Sequence, residues 1–257
     1  MPPLHHPVLF SLLATLGASL ALATEPAMNS AWTEVVEHVE VVTPPSQRTT
    51  LVPQQSATLT YIGLFPTVMQ LQRQQDQYEI TVTANIPFRQ VTLRSRGTLV
   101  DNQLQPVLFQ DIRNGQVYAQ TVFDHQRHEI RQGKTKDTPT VTPMIDQAFD
   151  PFSLAWQLSL NQGIIKTPFQ LATGKGDVKT QQPETLKSDH VIRSVGSDSS
   201  EMAIQLITLP NQKNSSYGLA IDVGFLPAIF GFEDYALTLE SISIDGQNYG
   251  LDGQPRP

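Results

Sequence analysis

Along most of this chain apolar and polar residues alternate, and a period of two marks a strand with one buried face. Tyr78, Ile80, Val82, Ala84 and Ile86 alternate with Glu79, Thr81, Thr83 and Asn85. Val91, Leu93, Ser95, Gly97 and Leu99 then alternate with Gln90, Thr92, Arg94, Arg96 and Thr98. Ala57, Leu59 and Tyr61 precede them, and Leu104 to Ile112, Val117 to Asp124 and Arg127 to Gln132 follow as further strands. Gly63 to Pro66, Asp101-Asn102 and Asn114-Gly115 are the turn signals between them. Turns this short join antiparallel neighbours, because a parallel crossover needs a longer connection.

One stretch breaks the pattern. In MIDQAFDPFSLAWQLSLNQG, Met144 to Gly163, the apolar residues Phe152, Leu154, Ala155, Trp156, Leu158 and Leu160 cover a wide helical arc. Asp150 is placed to cap the first turn, and Pro151 occupies the first helical position, where a missing N–H costs nothing. Gly163 is placed to end the helix. No charged residue lies between Asp150 and Lys166, so the helix is expected to be buried against a sheet.

Beyond the helix, Ile164 to Ala172 and Asp177 to Gln181 read as a hairpin around Thr173-Gly174-Lys175-Gly176. His190 to Val195 with Glu201 to Leu209 forms another, and Leu219 to Val223 and Tyr235 to Ile244 are the last strands. Between those two lies GFLPAIFGF, Gly224 to Phe232, apolar yet poorly suited to a central strand. Pro227 removes a ladder donor, and Gly224 and Gly231 loosen the backbone. An apolar, irregular segment suits the lip of a pocket. Phe225, Leu226 and Phe230, with Trp156 from the helix, are therefore expected to border an apolar cavity.

The pattern as a whole predicts an all-β fold: a single curved antiparallel meander with one buried helix near residues 151–161. Barrel, half-barrel and two-layer sandwich all satisfy it. The β domain is expected over 51–245, with a disordered tail over 246–257. Residues 24–50 read as an N-terminal segment closed by the linker Thr43-Pro44-Pro45-Ser46; Ala31 to Val42 within it favours a strand.

Composition adds an address. Val8 to Ala23 is an apolar run with small residues, closing on Ala21-Leu22-Ala23, which predicts a signal peptide over 1–23. The run is shorter than the roughly 20 residues that span a bilayer, and no other segment is long and apolar enough. With no cysteine, the chain has no disulfide, no thiolate nucleophile, no Cys-based metal ligand and no attachment point for a lipoprotein anchor. A periplasmic protein without an integral membrane segment after signal cleavage is the expectation. The net charge of −7 and the pI near 5.3 argue against nucleic acid, which needs a basic footprint.

Catalytic and metal constellations fare poorly. His125 and His128 stand three apart, which on a strand points them to opposite faces, so no metal site is expected. Gly174-Lys175-Gly176-Asp177 lacks the spacing of a phosphate loop and reads as a hairpin turn. Glu233 and Asp234 are adjacent and face apart, and no G-x-S-x-G elbow occurs. Arg94 and Arg96 share a polar face that is read as solvated. The chain is accordingly expected to be no enzyme and to use no cofactor. Two functions stay open: binding of an apolar small molecule or lipid in the curve of the sheet, and a scaffold or interaction module for another envelope protein with a fully packed core.

A set of short motifs bears on the same question. Ser95-Arg96-Gly97, then Leu104-Gln105-Pro106 and Phe109, then AQTVFD over 119–124, then Asp150-Pro151-Phe152-Ser153-Leu154, and finally Leu226-Pro227 before Tyr235-Ala236-Leu237-Thr238-Leu239, occur in this order. In that order and spacing the chain resembles the bacterial periplasmic family known as domain of unknown function 3108, over roughly residues 55–245. The resemblance implies a secreted, curved antiparallel β protein of the envelope and supplies no catalytic residues. Within it Gly97, Pro106, Asp150 and Pro151 are expected to be structural. Ile221 and Val223 stand where the family usually carries an aromatic before Leu226.

Overall fold

The computed structural model describes Pro53 and residues 55–210, 215–232 and 235–257. The expected signal peptide, the linker and the segment from Ala31 to Val42 lie outside the described residues. The alternation along the chain becomes eight consecutive antiparallel strands: β1 (Ser56–Ile62), β2 (Thr67–Gln74), β3 (Gln77–Ile86), β4 (Arg89–Val100), β5 (Gln103–Arg113), β6 (Gln116–Asp124), β7 (Glu129–Lys134) and β8 (Thr140–Pro143). In β3 and β4 the alternation predicts the buried face: Tyr78, Ile80, Val82, Val91, Leu93, Ser95 and Gly97 point inward. Asp101-Asn102 and Asn114-Gly115 both take positive φ at each central position, matching the right-handed strand twist.

The chain then leaves this meander. It forms β9 (Ala148–Phe149), the helix α1 (Pro151–Leu160), β10 (Phe169–Leu171) and β11 (Lys179–Gln181), where β9 pairs parallel to β10 and β10 antiparallel to β11. A second meander follows: β12 (Lys187–Val195), β13 (Ser200–Thr208), β14 (Ser216–Ala220), β15 (Leu226–Phe232) and β16 (Tyr235–Ile244). Pairing of β16 with β1, through Ala57 opposite Ile244 and Leu59 opposite Ile242, welds both meanders into one 15-stranded sheet. Its main path runs β12-β13-β14-β15-β16-β1-β2-β3-β4-β5-β6-β7-β8, so among the described residues the sheet is open, with β12 and β8 at the two ends of that path.

The helix reveals how far the sheet curls. Phe152, in its first turn, packs 6.3 Å from the Phe109 ring on β5 and 6.0 Å from the Phe230 ring on β15. Five strands separate β15 from β5 in the sheet order, so the sheet must bend around α1 for one side chain to meet both. Nine of the ten helix residues, Pro151 to Ser159, are buried, which explains why the helix has no polar face. The architecture is a half-barrel with α1 as its plug.

The helix ends confirm one expectation and correct another. Asp150 is the N-cap and Pro151 the first helical residue. At the other end, Gln162 rather than Gly163 takes the left-handed conformation directly after the cap, at φ 51°. Gln162 N–H donates to the Ser159 carbonyl at 3.1 Å, and Gly163 N–H donates to the Leu158 carbonyl at 2.7 Å. This is the paired closure of a Schellman motif. Gly163 follows, also at positive φ, where a side chain would strike Gln205 on β13.

Gly97 and Pro106 face each other where Val107 bulges out of the β4–β5 ladder. A Cβ on Gly97 would overlap the Gln105 carbonyl, and pairing with β6 begins only at Leu108, so the missing N–H of Pro106 interrupts no ladder. The tail corrects an expectation. Asp245-Gly246 turns the chain into β17 (Gln247–Tyr249), which pairs with β16, and β18 (Pro255–Arg256) pairs with β17. Asp245 also accepts from the N–H groups of Gln55 and Ser56 at 2.8 and 2.7 Å, fastening the turn to the start of β1. A tail without periodicity is thus held by backbone pairing, which hydrophobic pattern does not report.

Candidate functional site

The expected apolar pocket lies where the second meander meets the helix; three of its four side chains are consumed by the core, and Phe225 is half-buried. Leu226, Phe230 and Trp156 are buried, at 0, 1 and 2% exposure. Phe230 stands edge-on to Tyr61 at 5.6 Å and to Tyr217 at 5.8 Å, in addition to its contact with Phe152. Nor is the segment an irregular lip. From Leu226 it is strand β15, bonded to β14 and β16. Pro227 is accommodated because Ala228 bulges opposite Gly218 and Leu219, and because pairing with β16 starts only at Ile229. Tyr61 donates its hydroxyl to the Pro227 carbonyl at 2.7 Å.

The irregularity sits just upstream. The last expected strand before this segment stops at Ala220, and Ile221–Val223 form a 3₁₀ turn. Gly224 and Phe225 follow with φ of 75° and 60°, and the Phe225 N–H donates to the Ala220 carbonyl at 2.8 Å. Trp156 does border a cavity, together with Leu71, Arg73, Leu99, Leu104, Ser159 and Gly224. Its volume is about 20 Å³, space for one water and not for an acyl chain. Phe225, Leu226 and Phe230 do not line it. The structure brings Trp156 and Gly224 together and leaves the other three elsewhere.

Above the first helical turn is a buried polar knot. Asp150, fully buried, accepts from the backbone N–H groups of Phe152 and Ser153 at 3.0 and 3.1 Å. Its second oxygen accepts from the Ser95 hydroxyl at 2.6 Å and from the Ser153 hydroxyl at 2.8 Å. Burial pushes the Asp150 carboxyl above its ordinary range, against the pull of those hydrogen bonds. Tyr78 and Tyr217 are pushed up as well, first by burial and then by the neighbouring carboxylate. A serine beside a carboxylate resembles part of a nucleophilic device, yet Ser95 has no exposed surface and no imidazole orients it. The knot ties the helix start to β4 through Asp150 and Ser95.

A second polar cluster escaped the sequence reading. Asp111 and Arg113, two apart on β5, share its inner face and form a bidentate pair at 3.1 and 2.9 Å. Lys175, from the turn between β10 and β11, reaches the same carboxylate at 2.9 Å. At this point Tyr118 bulges out of the β5–β6 ladder, and its ring receives the Arg113 guanidinium at 3.6 Å. Burial pushes Lys175 down to about 8, helped by the charges of Arg113 and Lys134 and opposed by Asp111. Gln132 completes the clasp, accepting from Gly174 N–H at 3.2 Å and donating to the Gly176 carbonyl at 2.6 Å. The glycine turn expected at 173–176 is therefore a strap across one end of the half-barrel. The Asp-x-Arg spacing on a strand was the available signal; nothing local marks Lys175.

The histidines differ from expectation in placement. Both occupy the β6–β7 turn rather than a strand. His125 lies 2.8 Å from the Pro106 carbonyl through Nε2, and His128 takes positive φ. Arg94 and Arg96 both pair with Glu79 on β3. Beyond the helix, Gln147, Asn161, Ile164, Ile165, Lys166 and Thr167 outline a shallow depression of about 410 Å³, largely open to solvent.

The two sheet edges are unlike. Strand β8 is four residues long, Thr140–Pro143, preceded by Pro139 and ended by Pro143, a short proline-blunted edge. Strand β12 has nine residues, no proline and eight positions that are exposed or half-buried, Ile192 among them at 55% exposure. Against known proteins the chain stands apart: no family model, no curated protein and no solved structure matches it.

Proposed function

We propose that this chain is a non-catalytic scaffold or interaction module of the bacterial periplasm, whose half-barrel is filled by its own helix. The observation that carries this reading is the burial of Phe152, Leu154, Trp156 and Leu158 inside the sheet, which leaves about 20 Å³ beside Trp156. Curved sheets that carry lipids enclose hundreds of Å³, lined by apolar side chains. Here those side chains meet each other. The Asp150 knot and the Lys175 strap hold the plug in place. Ala21-Leu22-Ala23, the absence of cysteine and the motif resemblance support the address.

Native mass spectrometry of gently purified protein from the periplasmic fraction tests the reading. The expected spectrum shows a chain beginning at Thr24 with no lipid-sized adduct. A stoichiometric acyl-lipid adduct establishes ligand binding in its place, and a membrane-bound full-length mass removes the periplasmic address. Phe230→Asp separates the readings further: in a packed core it unfolds the domain, whereas at a pocket wall it removes a ligand and leaves the fold.

A further inference from the structure

We infer that β12 is a self-association edge, where a second copy of this chain adds its own β12 antiparallel about a two-fold axis through Val191. The inference rests on the scaffold reading and names the partner of its open edge. Strand β12 pairs with β13 on one side, and among the described residues no strand hydrogen-bonds to its other side, while the turn after its buried end Val195 is tied to Glu240 of β16. An uncovered edge of this length presents a row of backbone donors and acceptors, and proteins usually blunt it. Strand β8 is blunted by prolines; β12 carries charges instead.

The placement of those charges decides between blunting and pairing. A two-fold axis perpendicular to a sheet keeps every side chain on its own face, so opposed residues must differ by an even number and the axis must pass through a residue. The register that pairs all nine residues is centred on Val191. It places Asp189 opposite Arg193 of the second copy, and Arg193 opposite the second Asp189. Ser188 then meets Ser194, and Ile192 meets His190. Among the described residues neither Asp189 nor Arg193 makes an ion pair within its own chain. A slip to an axis through His190 sets Lys187 against Arg193 in both copies. A slip to Ile192 leaves Asp189 opposite Val195. One register alone thus combines full overlap with two opposite-charge pairs, and opposed charges of unlike sign favour a cross-strand pairing that like charges oppose. These charges select a partner; a uniformly positive edge would repel one.

Analytical ultracentrifugation and native mass spectrometry of the full chain test the inference. The expected result is a dimer. Asp189→Arg faces the second Arg193 with arginine, Arg193→Asp faces the second Asp189 with aspartate, and each weakens the dimer at least about tenfold. The double exchange Asp189→Arg/Arg193→Asp restores it, with circular dichroism unchanged throughout. Because the chain has no cysteine, Val191→Cys should form a single symmetric disulfide on mild oxidation, since opposed Cα atoms about 4.5–5.5 Å apart suit one. Thr142→Cys on the β8 edge should not. A monomer at all concentrations overturns the inference, as does a dimer indifferent to both charge reversals or one that Val191→Cys fails to cross-link. The same spectra keep the two readings apart. A monomer without a lipid adduct removes the dimer and leaves the scaffold, whereas a dimer carrying an acyl lipid removes the scaffold and leaves the dimer.

Discussion

Asp150 shows how one residue can serve two elements. On an exposed helix its loss would cost about 1 kcal/mol through the cap alone. Here it is fully buried and binds Ser95 of β4 as well as its own helix. Asp150→Ala leaves two hydroxyls and two backbone N–H groups unserved, so a cost of about 3 kcal/mol or more in denaturant unfolding is expected. Asp150→Asn keeps an acceptor for the backbone and a polar partner for both serines, and should cost clearly less. The pH dependence has a definite sign. Because burial raises this carboxyl in the folded state, the fold holds the proton where the unfolded chain has released it. The stability of wild type relative to Asp150→Asn should fall as pH rises from the ordinary carboxylate range through the raised folded value. Lys175 has the opposite sense: its folded value is about 8 against about 10.4 unfolded. Between these values the unfolded chain binds more protons, so this group's contribution rises with pH. Wild type should gain stability over Lys175→Met from about pH 8 to pH 10, measured by denaturation at each pH.

At the scale of elements, the helix start was legible because Asp150-Pro151 is a local signal, read by the backbone of its own first turn. The helix stop was not, because the left-handed residue is an exposed glutamine, held by the two closing hydrogen bonds of the Schellman motif. Gln162→Gly removes the steric cost of a side chain at φ 51° and is expected to stabilise the protein by about 1 kcal/mol. No change, or a loss, in the denaturant midpoint would show that Gln162 contributes contacts outweighing its strain. The same distinction holds for β15. Pro227, Gly224 and Gly231 argued against a central strand, yet a bulge at Ala228 and the Tyr61 hydroxyl absorb Pro227. Bulges join residues distant in the chain, and local composition carries no trace of them.

Over the whole molecule, the central event is the pairing of β1 with β16, which turns two local meanders into one sheet long enough to enclose the helix. Within each meander neighbours in sequence are neighbours in space, but this junction is the most distant pairing in the fold. With α1 seated, Phe152 lies against both walls of the sheet, and the cavity beside Trp156 holds about 20 Å³.

The sequence by itself determined the class of the fold, most strand positions, the helix α1, its start and its burial. All of these follow from periods of two and from capping chemistry within a few residues. Tertiary structure alone decided that the sheet stays open among the described residues, that Trp156, Leu226 and Phe230 become core, that Lys175 joins Asp111 and Arg113, and that β12 is left at an edge. The physical reason is common to these outcomes. Each depends on which surfaces meet once the chain has folded back on itself, and periodicity records only that a residue faces inward, not what it faces.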